Sequence, residues 1–366
     1  MTENHLIKLV VVMPSLAKGG AEKVMTTLLN QLDLTIFDAS LLLLDKRGNY
    51  LEDLRKEITV YDLGGIRVSR ATIRLVKWIR NHKPDIVISS LSHLNLLMGA
   101  IRPLLPGIIK VIVRESSIPS IHTQSDRKGK IMFKLYKYFY SNVDAVICQC
   151  EFMKNYLRQC FSLPDGFLKV INNPVDTLHI QEQAQLMQDQ SNYREDNVLN
   201  VVAVGSLEQH KQYDQLIIAL SEIDRPWKLR VLGDGSQLNI LQELATQLGV
   251  IDHIDFVGRK RNPYPYMQQA DVLVLVSAFE GFPNVVLEAL ALGTPVISYN
   301  CPGGISEIMN NDLYGLLIAA NDCKALSQSL EKFNQSMFNK SLISSNIKER
   351  FGLDNIISQY QKVLTN

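Results

Sequence analysis

"LIKLVVVMPSLAKGGAEKVMTTLLNQL", residues 6–32, decides the fold together with "LNVVAVGSLEQHKQYDQLIIALSEI", residues 199–223, which repeats its plan. Each stretch opens on a short run that is apolar at nearly every position. Each then turns at glycine, at Gly19-Gly20 in the first and at Gly205 in the second. Apolar residues at helical spacing follow, such as Val24, Leu28 and Leu32. A strand that does not alternate apolar with polar is buried on both faces, as in parallel sheets covered by helices. The pattern continues in "DIVISS" (85–90), "KVIVRE" (110–115) and "DAVICQ" (144–149). In the second half it returns in "KLRVLGDG" (228–235), "IDFVG" (254–258), "DVLVLVS" (271–277) and "TPVISYN" (294–300). Strands alternating with helices define the α/β class, here as two doubly wound parallel-sheet domains. At 366 residues the chain exceeds one ordinary core. Asn172-Asn173-Pro174 is a turn signal, and the Gln-rich polar stretch up to Asn197 buries little. The expected division is therefore 1–173, 174–345 and a terminal segment 346–366, whose "DNIISQYQKVLTN" is helical and is expected to pack back on the first domain. Two such domains facing each other leave a central cleft at the carboxyl ends of their strands, where ligands of these sheets bind.

The bulk numbers exclude several classes. Hydrophobic residues make up 46% and charged residues 20%, as in a soluble globular protein, and a net charge of +1 gives no global field to recruit nucleic acid. Five cysteines do not make a disulfide framework, and the spacing of Cys148 and Cys150 fits no common zinc pattern, so a reducing, cytoplasmic setting is expected. Met1 to Lys8 does not read as a signal peptide, because the apolar run that follows breaks at Pro14. No run of 18 apolar residues is present to span a membrane.

The stretch "SAFEGFPNVVLEALALGTPVI", residues 277–297, carries the most chemistry. Gly281 suits a bend and Pro283 the first turn of a helix, which runs from about Asn284 to Leu292 and stops at Gly293. Glu280 then sits at a strand end and Glu288 inside the helix. Free N–H groups near Phe282, Asn284 and Val285 form an anion site. Two carboxylates flanking an anion site suit a sugar nucleotide, one holding sugar hydroxyls and the other ribose hydroxyls. The plainer alternative makes Glu280 a helix-start carboxylate and Glu288 a solvated residue. Lys211, after the Gly205 turn, can reach a pyrophosphate or serve as a surface lysine. The Gly19-Gly20 backbone can close on phosphate or form a plain turn. Gly-x-Gly-x-x-Gly is absent.

Taken together, "SLAKGGAEKVM" (15–25), "GSLEQHKQYDQLI" (205–217), the run from Val231 to Ser298 and "CPGGISEIM" (301–309) resemble the retaining family 4 glycosyltransferases of the GT-B fold. The resemblance covers nearly the whole chain and is strongest from Asn200 to Gly315. Within that family, "NPYPYMQQADVLVLVSAFEGFPNVVLEAL" is similar to enzymes that build bacterial capsule, O-antigen or lipid-linked oligosaccharides. The resemblance implies that Glu280 contacts the donor sugar, that Glu288 binds the ribose, and that Gly281, Phe282, Pro283 and Asn284 line the sugar and distal phosphate. It makes Lys211 the pyrophosphate lysine and puts Arg259 in the segment that meets the base. Ser206 stands where the family carries an Arg, and Arg114-Glu115 where many members carry a His. Arg114, Glu115 and His93 are the acceptor-side candidates: Arg114 and Glu115 form either a buried pair near the cleft mouth or a plain strand-end ion pair, and His93, after another strand end, either meets the sugar or acceptor or is structural.

The donor implied is a nucleotide sugar, UDP-linked by subfamily resemblance. The acceptor implied is a hydroxyl of a lipid-linked saccharide, with retention of configuration. No cofactor and no metal are expected, since Asp-x-Asp is absent. A sugar-nucleotide epimerase and a non-catalytic sugar-nucleotide binder are the alternatives. Residues 66–83 carry six Lys/Arg and no acid, with Arg67, Arg70, Arg74 and Lys77 at helical spacing beside Trp78, and residues 126–142 add five basic residues among Phe and Tyr. Such segments either lie on an anionic membrane surface, here the inner face of the plasma membrane, or form outer helices with snorkelling lysines.

Overall fold

The computed structural model describes residues 6–17, 19–118, 127–186, 194 and 196–365. It divides into two compact units, residues 1–174 with 354–366, and residues 175–353. In the first unit the strands are β1 (Ile7–Met13), β2 (Phe37–Leu43), β3 (Thr59–Asp62), β4 (Ile86–Ser90), β5 (Lys110–Arg114), β6 (Ala145–Cys148) and β7 (Leu168–Val170). Its helices are α1 (Gly20–Gln31), α2 (Thr72–His82), α3 (Ser92–Ile101), α4 (Arg127–Tyr140) and α5 (Glu151–Phe161). The second unit opens with α6 (Thr177–Gln185) and holds β8 (Leu199–Val204), α7 (Tyr213–Ser221), β9 (Trp227–Leu232), α8 (Leu238–Gln247), β10 (Ile254–Phe256), α9 (Tyr264–Gln269) and β11 (Val272–Leu275). It continues with α10 (Asn284–Ala291), β12 (Val296–Asn300), α11 (Ile305–Ile308), β13 (Gly315–Ala319), α12 (Cys323–Glu331) and α13 (Lys340–Phe351). Last comes α14 (Leu353–Thr365).

Every strand pairing within both sheets is parallel. The order is β3-β2-β1-β4-β5-β6-β7 in the first sheet and β10-β9-β8-β11-β12-β13 in the second. The chain therefore winds one way from β1 and the other way from β4. It does the same from β8 and β11. A crevice opens at the carboxyl end of the sheet at each such reversal, because the flanking loops leave in opposite directions. The glycine loops after β1 and β8, His93 after β4 and Glu280 after β11 all lie at these two reversals.

The apolar runs form the cores. Leu9, Val11, Ile88 and Ile112 sit in the first unit's core, and Val201, Leu229, Val274 and Ile297 in the second's. Helix α14 completes the first core through Ile356, Ile357, Tyr360 and Leu364, one stripe of an amphipathic helix. Each of those side chains is worth about 1.5–3 kcal/mol on burial, so α14 is a full member of that unit. Its limits correct the expected terminal segment. Residue 346 falls inside α13, which packs with α10 in the second unit, and the boundary falls at 353/354, just after the break at Gly352.

Candidate functional site

In the second unit, Lys211 and Glu280 meet. Lys211 Nζ donates to Glu280 Oε1 at 2.6 Å, and the Ser277 hydroxyl donates to the same oxygen at 2.7 Å. Oε2 is left unused by these two donors. The residues are far apart in sequence, and adjacent strands bring them together. Lys211 closes the 3₁₀ turn after β8, where Gln212 takes a left-handed φ of 50°, while Glu280 follows β11. The two loops are tied by Ala278 N–H donating to the His210 carbonyl at 2.8 Å and by stacking of the His210 and Phe279 rings. The pair is only partly exposed, at 18% for the lysine side chain and 11% for the glutamate. Coulomb attraction at that depth is several times stronger than in bulk water. Burial, then the Glu280 charge, pushes the Tyr213 phenol up beside it. Cys301 is raised to about 12 for the same reasons in the same order.

The Glu280–Asn284 turn is held from above by the Pro302-Gly303-Gly304 loop. Glu280 N–H donates to the Pro302 carbonyl at 3.0 Å, and Gly304 N–H to the Gly281 carbonyl at 2.8 Å. A Cβ on Gly303 (φ 131°) would lie 1.8 Å from the Glu280 carbonyl oxygen, so only glycine lets the two backbones approach this closely. Helix α10 starts at Asn284, with Pro283 as its N-cap. Asn284, Val285 and Glu288 share its half-buried face, while Val286, Leu287, Ala289 and Leu290 face the core. Arg259 and Ser206 are exposed, at the ends of β10 and β8. Ser277 and the Gly303–Gly304 pair were not singled out as site residues. Ser277 directly ends the apolar run of β11, and "PGG" marks a turn, which were the available signals.

The first unit departs from expectation at two places. Arg114 and Glu115 do not form an ion pair, because neighbouring residues at a strand end point to opposite faces. Arg114, fully buried, donates from Nε to the Tyr360 hydroxyl at 2.8 Å, and also to Ser90 and Asn173. It fastens α14 to the sheet. Glu115, also fully buried, accepts from Asn95 Nδ2 at 2.8 Å, from the Ser92 hydroxyl at 2.8 Å and from the Tyr140 hydroxyl. It thereby joins α3 to α4. His93 is exposed beside them on α3, and partial desolvation lowers its pKa. Leu91 before it has φ 80°, a strained conformation for a branched side chain, held at the carboxyl end of β4. Gly19 caps α1, and a Cβ there would lie 2.6 Å from Glu22 Oε2. The helix start expected to close on phosphate thus has a carboxyl of its own beside it, one whose pKa burial raises.

Burial raises the Glu115 carboxyl from 4.5 to about 7, against the lowering effects of Asn95, Ser92 and Arg114. The unfolded chain ionises near 4.5 while the folded one holds its proton, so stability falls as pH rises from 4.5 to 7 and then levels. The loss is about 3 kcal/mol. Glu115→Gln keeps the shape and removes this slope. Urea unfolding of the first unit, followed by Trp78 in a Trp227→Phe background, should show the wild type losing that much more than the variant between pH 4.5 and 8. Equal slopes would refute the assignment.

The basic segments resolve into defined surfaces. Arg67 and Arg70 precede α2, whose exposed face carries Ile73, Arg74, Lys77 and Arg80. Trp78, one turn after Arg74, is half-buried: its ring stacks on His82 at 3.8 Å and meets Tyr61 edge-on. On α4, Lys130, Lys134 and Lys137 are exposed in one row with Ile131 and Tyr138, while Tyr136 and Tyr140 are buried. Asp126 lies outside the described residues.

Residues 185–349 match the family model described as glycosyl transferases group 1, and residues 18–178 match that of glycosyltransferase family 4. An uncharacterized glycosyltransferase of Methanocaldococcus jannaschii is 30% identical over 258 residues, 68% of this chain and 63% of that protein. The N-acetylgalactosamine-N,N'-diacetylbacillosaminyl-diphospho-undecaprenol 4-alpha-N-acetylgalactosaminyltransferase of Campylobacter jejuni is 25% identical over 336 residues, 88% of this chain and 89% of that one. Among solved structures, Anabaena HepE in complex with UDP-glucose superposes with a TM-score of 0.81 at 19% identity, covering 98% of this chain and 99% of that chain.

Proposed function

Because the chain is a glycosyltransferase of the GT-B fold, we propose that it moves a hexose or N-acetylhexosamine from a UDP-sugar to a hydroxyl of a lipid-linked saccharide, with retention of configuration, in building a cell-surface polysaccharide. The observation that carries this is the Lys211–Glu280 pair, set at the β8/β11 reversal beside the start of α10. Lys211 meets the diphosphate, releasing Glu280 as it does so. Glu280 Oε2 takes the sugar hydroxyls, and the first N–H groups of α10 face the distal phosphate. Glu288, one turn along the half-buried face, takes the ribose hydroxyls. Arg259 adds positive charge where Ser206 supplies none. Catalysis is then electrostatic: the departing UDP is stabilised and the acceptor hydroxyl oriented, without a metal. The acceptor follows the Campylobacter jejuni relative, whose name carries a diphospho-undecaprenol, and the donor follows the UDP-glucose complex of like fold.

The test incubates the full chain with radiolabelled UDP-sugars and diphosphate-polyprenol-linked saccharides, with and without EDTA. Transfer that persists in EDTA is expected. Interconversion of the free UDP-sugar would instead mark an epimerase, and binding without turnover a binder; either result overturns the proposal.

No helix among the described residues is long and apolar enough to cross a membrane. The lysine row of α4, with Ile131 53% and Tyr138 68% exposed within it, suits the surface of an anionic bilayer. At about 1 kcal/mol per basic residue, replacing Lys130, Lys134 and Lys137 by Gln should weaken binding to phosphatidylserine vesicles about 100-fold. Unchanged co-sedimentation would remove membrane association from the proposal.

A further inference from the structure

The turn that carries Lys211 is shaped by the residue after it. Gln212 closes the 3₁₀ turn Gln209–Lys211 and opens α7, with φ 50° and ψ 40°. Glycine takes this left-handed conformation freely, whereas a side chain as long as glutamine meets a steric cost there. A second cost falls on the same residue: Gln212 Oε1 is buried, and no donor among the described residues reaches it. Local costs of this kind persist where the surroundings impose them, and they gather at working sites. What the side chain gains is one bond. Its Nε2 donates to Asn321 Oδ1 at 3.0 Å, 109 residues further along the chain.

Asn321 is also left-handed, with φ 63°, in the turn between β13 and α12. Asparagine tolerates that conformation far better than glutamine does. Two strands, β11 and β12, separate β8 from β13 in the sheet, so the bond ties together loops of strands that are not neighbours. The helices behind these loops support it: α7 packs against α12, and the Cys323 thiol donates to the Gln215 carbonyl at 3.5 Å. Lys211 is thus braced through the residue on each side. The His210 carbonyl accepts from Ala278 N–H of the β11 loop, and the Gln212 side chain is fastened to the β13 turn. In the transfer reading above, Lys211 leaves Glu280 for the diphosphate, so the ion pair no longer holds the turn once the donor is bound. The flanking braces remain. A lysine is a point charge on a flexible stem, so where its charge rests depends on where its backbone is held.

We propose that Gln212 and Asn321 are positioning residues for Lys211: their side-chain bond fixes the backbone from which the lysine reaches the diphosphate. This rests on the transfer reading above and adds to it the clasp that keeps the donor site's cation in place after Glu280 has released it. The clasp acts on the reaction through Lys211 and not through a contact of its own.

The experiment titrates the full chain with UDP by calorimetry. Asn321→Gly removes the acceptor oxygen without straining the backbone, and Gln212→Met removes the donor at equal length. Each should weaken UDP binding about fivefold, the size of one hydrogen bond's net contribution. Asn321→Asp keeps an oxygen for Gln212 Nε2 and should bind UDP as the wild type does. Calorimetry reads the affinity of the folded molecules, so incomplete folding lowers the stoichiometry and not the result. The deciding arm adds Lys211→Met. In that background Asn321→Gly and Gln212→Met should change UDP affinity by less than about twofold, because the residue they position is gone. A merely structural bond would cost the same fivefold again. Wild-type affinity in both single variants, or an undiminished loss in the Lys211→Met background, overturns the clasp and leaves the transferase reading standing. A Lys211→Met chain that binds UDP as tightly as the wild type fails differently: it overturns the donor reading, and the clasp falls with it.

Discussion

Glu280→Gln is expected to lower kcat/KM for sugar transfer about 10²–10³-fold while leaving UDP bound at least as tightly as in the wild type. Glutamine keeps the length and one oxygen for Ser277, but it removes the negative charge that faces Lys211 at 2.6 Å. A preorganised polar group lost from a partly buried site costs about 3–4 kcal/mol in the transition state, which is the stated range in rate. In the ground state the sign reverses. Lys211 no longer shares its charge with a carboxylate, so its whole charge is available to a diphosphate. Lys211→Met should do the opposite to UDP and weaken its binding, since Glu280 then faces the anion alone. The double variant should lose less than the product of the two single losses, because residues acting as one unit are not additive. Steady-state kinetics with parallel UDP calorimetry read all three. Wild-type turnover in Glu280→Gln would show that the pair merely ties two loops together.

That pairing could not be read from the amino-acid order. Both residues were legible as candidates, from the Gly205 turn and from the bend before Pro283. Their contact depends on β8 and β11 being neighbours at the reversal of the second sheet. Strand order is a long-range property that local apolar runs do not encode. The central strands were legible because burial on both faces makes them apolar throughout. β2 escaped because Asp38 and Ser40 interrupt "FDASLLL", and β3, β7 and β13 because they are short or glycine-led edge strands with less to bury. Arg114-Glu115 shows a different failure. The strand was recognised, but its alternation was not applied past its end, and two opposite charges in sequence suggested a pair that the pleat forbids. Trp78 stands one turn after Arg74 on α2, beside the basic residues, and its ring packs on Tyr61 and His82, contacts that the sequence does not reveal. The glycines were read for their freedom of φ, whereas Gly303 serves chiefly for the missing side chain, since the Glu280 carbonyl occupies the place of its Cβ.

The largest stability effect is expected at Arg114, and it separates architecture from chemistry. The guanidinium is fully buried and donates to three neutral oxygens, on Tyr360, Ser90 and Asn173, which belong to the terminal helix, to β4 and to the segment after β7. Arg114→Ala leaves a void of several heavy atoms and strands those acceptors without a donor. Truncating one side of such a buried charged network costs about 3–5 kcal/mol. Tyr360→Phe removes only the hydroxyl and should cost about 1–3 kcal/mol, because the guanidinium keeps its other two acceptors. Unfolding of the first unit, followed through Trp78 with Trp227 replaced by Phe, reads both losses without interference from the second unit. The consequence for function is specific. If Arg114 is a fastener for α14 rather than an acceptor contact, Tyr360→Phe, which weakens the same fastening, must leave the acceptor KM of the folded enzyme unchanged. Arg114→Ala should then lose activity only in proportion to the unfolded fraction. An Arg114 variant that is fully folded at the assay temperature yet has a raised acceptor KM would return this residue to the site.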